Sequence, residues 1–504
     1  MSSYRQILKS SSIVGGAQAA SLVLGMARTK VVALLLGPSG VGLIGLYDSV
    51  ISLTGTLTNL GIASSGVRQV AEADGSGDRE RVGRTVRVLR RVCWLTGMLG
   101  VVLTAVLAKP LSVWTFGNAE RAIPIAILGV TLLLTAISSG QSALVRGVRR
   151  IGDLARMQVL SALASLVISA GLYAWLGERG IVPVFLVLAA VNLGFSWWFA
   201  RRVPVPAAPL GWPTARDESL NLVRLGLSFV LAALCTFGSA WIARSWIQAE
   251  FGLHGSGIYQ AAWSISGVCG GFILSAMAMD FYPRLTAAAN DNAQVNRLVN
   301  EQTEIGILLA LPGLLATIIF SPWVIRILYS AQFGEAAVLL PWFVVGVFGR
   351  VVSWPLGFIM LAKGTARWYA ASELTWSALH VCFIWGALHV WGLQGVAIAF
   401  AALYGCCTPG VLWIARRLSH FRWTPQVARL LVAASAVMAA TFILARFGPP
   451  VVSTAVGAPL VLACGLICLR RICLRLGNDH RVTLWVGRVP GMGRWLVGLG
   501  TSQI

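Results

Sequence analysis

Charge is what this sequence has least of. Only 12% of its 504 residues are charged, where an ordinary soluble chain carries about 25%. Acids are the scarcer sign, 18 against 40 Lys and Arg, and lysine supplies 4 of those 40. With 57% apolar residues, too little polar surface remains for an ordinary soluble domain. Several chemistries are missing too. There is no Gly-x-x-x-x-Gly-Lys-Ser/Thr phosphate loop, which excludes ATP as a fuel hydrolysed by the chain itself. There is no His-Glu-x-x-His and no Gly-x-Ser-x-Gly, so neither a zinc protease nor a serine hydrolase elbow is present. The histidines (His254, His380, His389, His420, His480) are scattered and form no metal-ligand spacing. All nine cysteines sit in or beside apolar runs. Cys464 and Cys468 share a helix face without an acid or histidine to complete a ligand set. Adjacent Cys406 and Cys407 cannot form an unstrained disulfide with each other. Inert buried thiols are the expectation.

What is abundant is apolar length. Runs of about 20 residues, enough for one helical membrane crossing, recur throughout. The expected fold is an all-α polytopic membrane protein, because ~10-residue alternating strands, the mark of a membrane β-barrel, are not seen. Fourteen spans are expected, near 10–36, 41–68, 91–113, 122–146, 154–176 and 181–200, then 222–249, 257–281, 304–328, 337–361, 369–390 and 392–415, and finally 427–446 and 451–470. With the N-terminus inside, 31 Lys and Arg fall on the inner side, 5 on the outer side and 4 within spans. That bias supports the even count and puts both termini in the cytoplasm. It also removes nucleic acid as the reason for the net charge of +22. The first apolar run is expected to stay as a transmembrane helix rather than be cleaved. The outer loops, such as Gly37–Gly40, Gly177–Gly180 and Gly252–Gly255, are too short for a catalytic domain.

The longest polar insertion, Arg201–Asn221, contains Arg-Arg-Val-Pro-Val-Pro-Ala-Ala-Pro and reads as a semi-rigid inner linker. The expected organisation is an N-lobe of six helices (1–200), the linker (201–221), a C-lobe of six helices (222–417), two further helices (418–474) and a basic tail (475–504) that rests on the inner membrane surface. The lobes read as a repeat. Ala27-Arg28, Gly37 and Gly40-Val-Gly42 recur as Ala243-Arg244, Gly252 and Gly255-Ser-Gly257, with one residue less between arginine and turn in the second copy. Lobes related by pseudo-two-fold symmetry, with a site between them, would follow.

Intramembrane charges are the candidate functional residues, because each costs about 3 kcal/mol or more unless it faces a partner or a cavity. Helix rise places Arg28, Lys30 and Asp48 in one layer ~10–13 Å below the outer turn. Arg28 and Lys30 diverge by about 200° around the helix, so both cannot face one way. Arg28, with its echo Arg244, is the expected cavity residue, and Lys30 is the expected partner of Asp48. Both cations locked in structural ion pairs is the competing arrangement. Arg350 precedes Ser353-Trp354-Pro355, where proline can bend the helix, and can pair with Glu373. Asp280 and Arg284, spaced i, i+4 at the inner end of a span, form either a capped helix end or a gate contact. Arg28, Arg244, Arg350 and Lys30 are thus the substrate-binding candidates. Asp48, Asp280, Arg284 and Glu373 are the coupling or gate candidates. Most of the twenty Trp suit interfacial anchoring.

Arg-Thr-Lys (28–30) ahead of Leu-Leu-Gly-Pro-Ser-Gly-Val-Gly-Leu-x-Gly-Leu-Tyr, together with Asp-Phe-Tyr-Pro-Arg-Leu (280–285), resembles the Wzx-type O-antigen translocases of the multidrug/oligosaccharidyl-lipid/polysaccharide exporter superfamily. The resemblance runs over roughly residues 1–420; the last two spans go beyond the twelve-helix members. It implies an inner-membrane protein of Gram-negative bacteria. Such a protein carries undecaprenyl-pyrophosphate-linked oligosaccharide, an O-antigen or exopolysaccharide repeat unit, from the cytoplasmic to the periplasmic leaflet. It also implies that Arg28 matches a cavity-facing arginine of the first helix. No cofactor is expected; coupling to H⁺, Na⁺ or the membrane potential is. Expected partners are the lipid-linked substrate, membrane lipids, and a polysaccharide polymerase with its chain-length regulator. The alternative within the superfamily is a cation-coupled multidrug antiporter, against which the excess of deep arginines counts. A membrane glycosyltransferase, the reading from another class, lacks the outer loop it would need.

Overall fold

The computed structural model describes residues 2–59, 61–206, 212–476 and 483. The centre of the inner linker and the rest of the basic tail therefore lie outside the described residues, as does the Asp280 side chain. Among the described residues the regular structure is entirely helical. Among those residues eleven segments are long and apolar enough to cross a membrane, and three of them, Gly15–Asn59, Ile151–Ala200 and Val230–Gly271, have 45, 50 and 42 residues. At ~1.5 Å per residue each is long enough to cross twice, which restores fourteen crossings.

The doubling has a local cause. In α1 (Ser2–Asn59) the helix is interrupted at Gly37, with φ 61° and ψ −170°, a backbone state that only glycine adopts without strain. In α7 (Trp212–Ala287) Gly252 has φ 65° and ψ −168°. The chain reverses at both places. Arg244 bonds to Gln260, sixteen residues on, which a continuous helix would hold ~24 Å away.

The helices between and after these hairpins are α2 (Ile62–Gly75), α3 (Arg79–Phe116), α4 (Ala122–Gly147), α5 (Ile151–Leu176), α6 (Ile181–Ala200), α8 (Asn292–Ile319), α9 (Ser321–Leu328), α10 (Ala336–Ala362), α11 (Ala366–Trp391), α12 (Leu393–Ser419), α13 (Pro425–Phe447) and α14 (Pro450–Leu476). Several boundaries differ from the sequence reading, among them α8, which runs Asn292–Ile319 with α9 separate after it where one span near 304–328 is expected. The second crossing ends at Asn59, and Gly61, at φ 68°, starts the separate helix α2. α3 starts at Arg79, capped by Asp78, whose carboxylate accepts the Glu80 and Arg81 amides at 2.9 and 3.1 Å. Its first three turns are arginine-rich and polar, so hydropathy alone places its start later.

The repeat is visible in the backbone and in the cores. Gly177 (φ 57°, ψ −136°) and Gly392 (φ 57°, ψ −142°) end α5 and α11 alike. Arg149 and Gly364 share positive φ. One core cluster contains Val70, Ala73, Leu144, Val145, Phe199 and Ala200. The other contains Leu285, Ala288, Ile359, Met360, Ile414 and Ala415, each 215 positions after its counterpart. Asp291 caps α8 as Asp78 caps α3, accepting the Ala293 and Gln294 amides.

By contacts the chain divides into two units, Met1–Gln260 with Ile327–Gln332, and Ala261–Arg326 with Phe333–Ile504. The first hairpin arm of the second half thus belongs with the first half. Within the first unit, the two hairpins meet along a reciprocal seam. Gly42 packs on the Leu253 carbonyl, and Gly257 on the carbonyl of Pro38. Each position is 215 residues from its counterpart, the signature of a local two-fold relation.

Candidate functional site

Three of the predicted residues come together in the first unit. Arg28 is half-buried and its Nε donates to Ser169 Oγ of α5 at 2.9 Å. The buried Tyr173, one turn further along α5, stands beside it. Arg244 is 8% exposed. Its Nε and Nη2 donate to Gln260 Oε1 at 3.2 and 3.1 Å, its Nη1 to the Ala240 carbonyl at 3.3 Å, and its guanidinium lies 5.7 Å from the Tyr259 ring centre. Asp48 is exposed, within electrostatic reach of both Arg244 and Arg28. It forms no ion pair among the described residues. Two cations flank one carboxylate, a net positive site in an apolar layer.

Below Asp48, toward the far end of the second crossing, lies a cavity of about 340 Å³. Asp48, Ser52, Thr56 and Asn59 are spaced four, four and three residues apart, so they share one helix face. Ser52, Thr56 and Asn59 line the cavity, joined by Thr58, by Thr96 of α3 and Thr135 of α4, while Val230, Ala233 and Phe237 of α7 form the apolar wall. Thr56, Thr96 and Thr135 donate to carbonyls three or four residues back. Their hydroxyl oxygens keep free lone pairs toward the cavity. The lining is neutral, rich in acceptors, and carries one exposed aromatic ring, Phe237.

Other predicted residues lie elsewhere. Lys30 is half-buried, and its Nζ donates to the Tyr329 carbonyl at 2.5 Å, so it ties the 327–332 segment to α1 instead of answering Asp48. Arg350 is in the second unit, exposed on α10, within electrostatic reach of Glu373 of α11 and Tyr404 of α12. Arg350 and Glu373 form no direct ion pair among the described residues. Arg284 is exposed at the end of α7, and its predicted partner Asp280 lies outside the described side chains.

The one-residue shift in the repeat has a structural consequence. Counted from the hinge glycines, the true counterpart of Arg28 is Ala243, which is 1% exposed. Arg244 is therefore turned about 100° from the Arg28 face and meets its own hairpin partner Gln260 rather than an α5-like helix. Ser169, Tyr173, Tyr259 and Gln260 were missed by sequence reasoning. Ser169 is 141 residues from Arg28 and gives no local signal. The Ser52-Thr56-Asn59 face was missed as well, although its helical spacing from Asp48 is a local signal in the sequence.

Residues 31–338 match the family described as polysaccharide biosynthesis protein. The chain belongs to that family. It is 23% identical over 408 residues to the lipid III flippase of Escherichia coli (strain K12), a match covering 77% of this chain and 94% of the relative, and equally similar to the lipid III flippase of Shigella flexneri. Among solved structures, the lipid II flippase MurJ in an inward closed conformation aligns with a TM-score of 0.68 at 13% identity, over 91% of this chain and 99% of that one. An inward-facing multidrug resistance MATE transporter aligns with a TM-score of 0.62 at 18% identity, over 79% and 95%. At these identities the structural likenesses speak for the fold.

Proposed function

We propose that the protein moves a lipid-linked oligosaccharide from the cytoplasmic to the periplasmic leaflet, its substrate being an undecaprenyl-pyrophosphate-linked O-antigen or exopolysaccharide repeat unit. The observation that carries this reading is the pairing of two arginines around Asp48 with a neutral, hydroxyl-lined cavity beneath them. A pyrophosphate taken out of water uncompensated is costly, and guanidinium donors replace its hydration with charge-assisted bonds. The first sugars suit the Ser52-Thr56-Asn59 face, whose oxygens accept from sugar hydroxyls, while Phe237 offers a flat apolar surface to a sugar ring. Asp48 limits the net charge of the site, so the anion is held without becoming trapped, and it is the place where H⁺ or Na⁺ coupling would act. The site opens alternately to the two sides while the polyprenyl tail stays in lipid. An inside-negative potential favours outward movement of the anion by ~2.3 kcal/mol per charge per 100 mV. The names of the lipid III and lipid II flippases among the similar proteins support the same class of cargo.

A cation-coupled multidrug antiporter is the second reading, favoured by the likeness to the MATE transporter. Cationic drugs call for a site with more acids than bases, and this one has the reverse. The inner bacterial membrane is the proposed location, with both termini cytoplasmic, and a polymerase with its chain-length regulator the proposed downstream partners. A deletion strain tests the assignment. Lipid-linked glycan accumulating in the inner leaflet, relieved by the wild-type chain, supports it. Unchanged glycan distribution with altered drug sensitivity overturns it in favour of the antiporter.

A further inference from the structure

A second cavity, about 220 Å³, lies in the first unit at the ends of α3, α4 and α6, away from the Arg28 site. Its lining falls into two chemical sets. Arg90 and Arg201 supply guanidinium groups, and Gln141 an amide. Trp94, Trp197 and Ile137 form an apolar flank, with Cys93, Gly140 and Ala200 as its floor. No acid lines it, and neither arginine has an ion-pair partner among the described residues. Arg201 is held by ring faces, 3.9 Å from the centre of Trp198 and 4.6 Å from that of Trp197. Such stacking fixes the plane of a guanidinium and leaves its edge N–H groups to bind something else. The Gln141 carbonyl oxygen is taken by the buried Ser196 hydroxyl at 2.6 Å, so its NH2 remains as a third donor. The polar set thus holds two guanidinium groups and an amide with no carboxylate among them, and an anion satisfies it best.

The apolar set says which kind of anion. Trp94 and Trp197 are 53% and 52% exposed at the arginine-rich ends of the helices, the side that the distribution of basic residues assigns to the cytoplasm. Large indoles there meet lipid, at headgroup depth. A phosphate flanked by hydrocarbon fits both sets at once, as basic pockets between transmembrane helices suit acidic lipid headgroups.

The second half of the chain provides a contrast. The positions of Trp198, Arg201 and Arg202 recur there as Trp413, Arg416 and Arg417, and Arg417 also stacks on Trp413, at 4.5 Å. Counted from the caps or by the 215-residue repeat, the position of Arg90 becomes Thr303 or Ile305, so the second cation is missing there. The stack of Arg202 on Trp198 is thus common to the repeat, while the stacked Arg201 and the complete donor set belong to the first half.

We infer that the cavity formed by Arg90, Gln141 and Arg201 between Trp94 and Trp197 binds an anionic phospholipid of the inner leaflet. Its phosphodiester lies on the two guanidinium groups, and its glycerol and upper acyl carbons lie along the two indoles. The inference is independent of what the Arg28 site carries.

The test is native mass spectrometry of the purified full chain with phosphatidylglycerol or phosphatidylcholine of matched acyl chains, alongside thermal unfolding in vesicles of the two lipids. The expected result is preferential retention of one phosphatidylglycerol, about tenfold over phosphatidylcholine, which has the same phosphodiester but sets its choline cation against the two guanidinium groups, and a higher melting temperature in phosphatidylglycerol. Arg90→Gln with Arg201→Gln should remove the preference while leaving phosphatidylcholine retention unchanged. Arg416→Gln with Arg417→Gln should keep it. Equal retention of the two lipids by the wild-type chain overturns the inference. So does an unaltered preference in the first double variant, or an equal loss in both, which would mean diffuse surface charge. Displacement of the bound phosphatidylglycerol by inorganic phosphate at matched concentration would mark a site for a soluble anion and overturn the lipid assignment.

Discussion

Asp48 follows Gly37 by eleven residues, and Trp263 follows Gly252 by eleven. The hinges have almost the same backbone angles, yet what hangs from the next helix differs completely. Below Asp48 the face runs Ser52, Thr56, Asn59 and lines a cavity. Below Trp263 the matching positions are Gly267, Gly271 and Leu274, and Trp263 packs edge-on against Phe343 and Phe400, with ring centres 5.5 and 5.2 Å away. Thr135, in the cavity wall, has Arg350 as its counterpart. Hinges, caps and core positions are held in common; the polar side chains of the candidate site are not. The repeat supplies a frame, and the candidate site consists of departures from it.

The largest expected effect tests the frame. A Cβ at Gly257 meets the Pro38 carbonyl, and one at Gly42 meets that of Leu253. These are backbone atoms, which cannot swing aside. Gly257→Ala and Gly42→Ala should each lower stability by about 1–3 kcal/mol, the range for overpacking, read as a fall in melting temperature in detergent. Gly267→Ala and Gly271→Ala, where an added Cβ meets nothing, should not. Equal effects at all four positions would break the reciprocal seam.

Next is the polar face. Replacing Ser52, Thr56 and Asn59 together with Ala, Val and Leu should weaken binding of a glycan-bearing farnesyl pyrophosphate about tenfold, since each net hydrogen bond contributes about 0.5–1.5 kcal/mol. Binding of bare farnesyl pyrophosphate should not change. Titration calorimetry separates the two, and equal weakening of both ligands would remove the sugar-facing role of the stripe.

The caps come third. Asp78→Ala and Asp291→Ala each remove an acceptor for two helix-start amides. Each should cost about 1 kcal/mol, and by similar amounts if the halves share their frame. A several-fold difference between the two melting shifts would show that the caps are alike in geometry only. Smallest is Lys30→Met, which loses the bond to the Tyr329 carbonyl. It should cost about 1 kcal/mol and leave ligand binding intact. A loss of binding as large as that from Arg28→Ala would return Lys30 to the substrate site.

The frame was legible because its signals are local. Gly37, Gly177 and Gly252 interrupt apolar runs, and fourteen crossings with an inner arginine bias follow from length and charge. Helix α2 was not legible, because fourteen residues of mixed polarity lack the length that marks a span. The charge layer of Arg28, Lys30 and Asp48 could be placed by helix rise, but its partners could not. Ser169 and Tyr329 reach Arg28 and Lys30 from 141 and 299 residues away, and nothing in local pattern announces such contacts. The Arg28–Arg244 echo was legible as spacing, while the one-residue shift that turns Arg244 toward Gln260 matters only once the hinge fixes the register.

The central claim is that Arg28 and Arg244 hold the pyrophosphate of a lipid-linked glycan in transit. Leaflet-resolved transport of a fluorescent polyprenyl-pyrophosphoryl oligosaccharide, with the protein reconstituted in vesicles, tests it most directly. The wild-type chain should move the lipid. Arg28→Ala and Arg244→Ala should each slow it about tenfold or more, because each removes charge-assisted bonds that contribute roughly 1.5–3 kcal/mol, with folding verified by melting temperature. Undiminished transport by both folded variants would contradict the account.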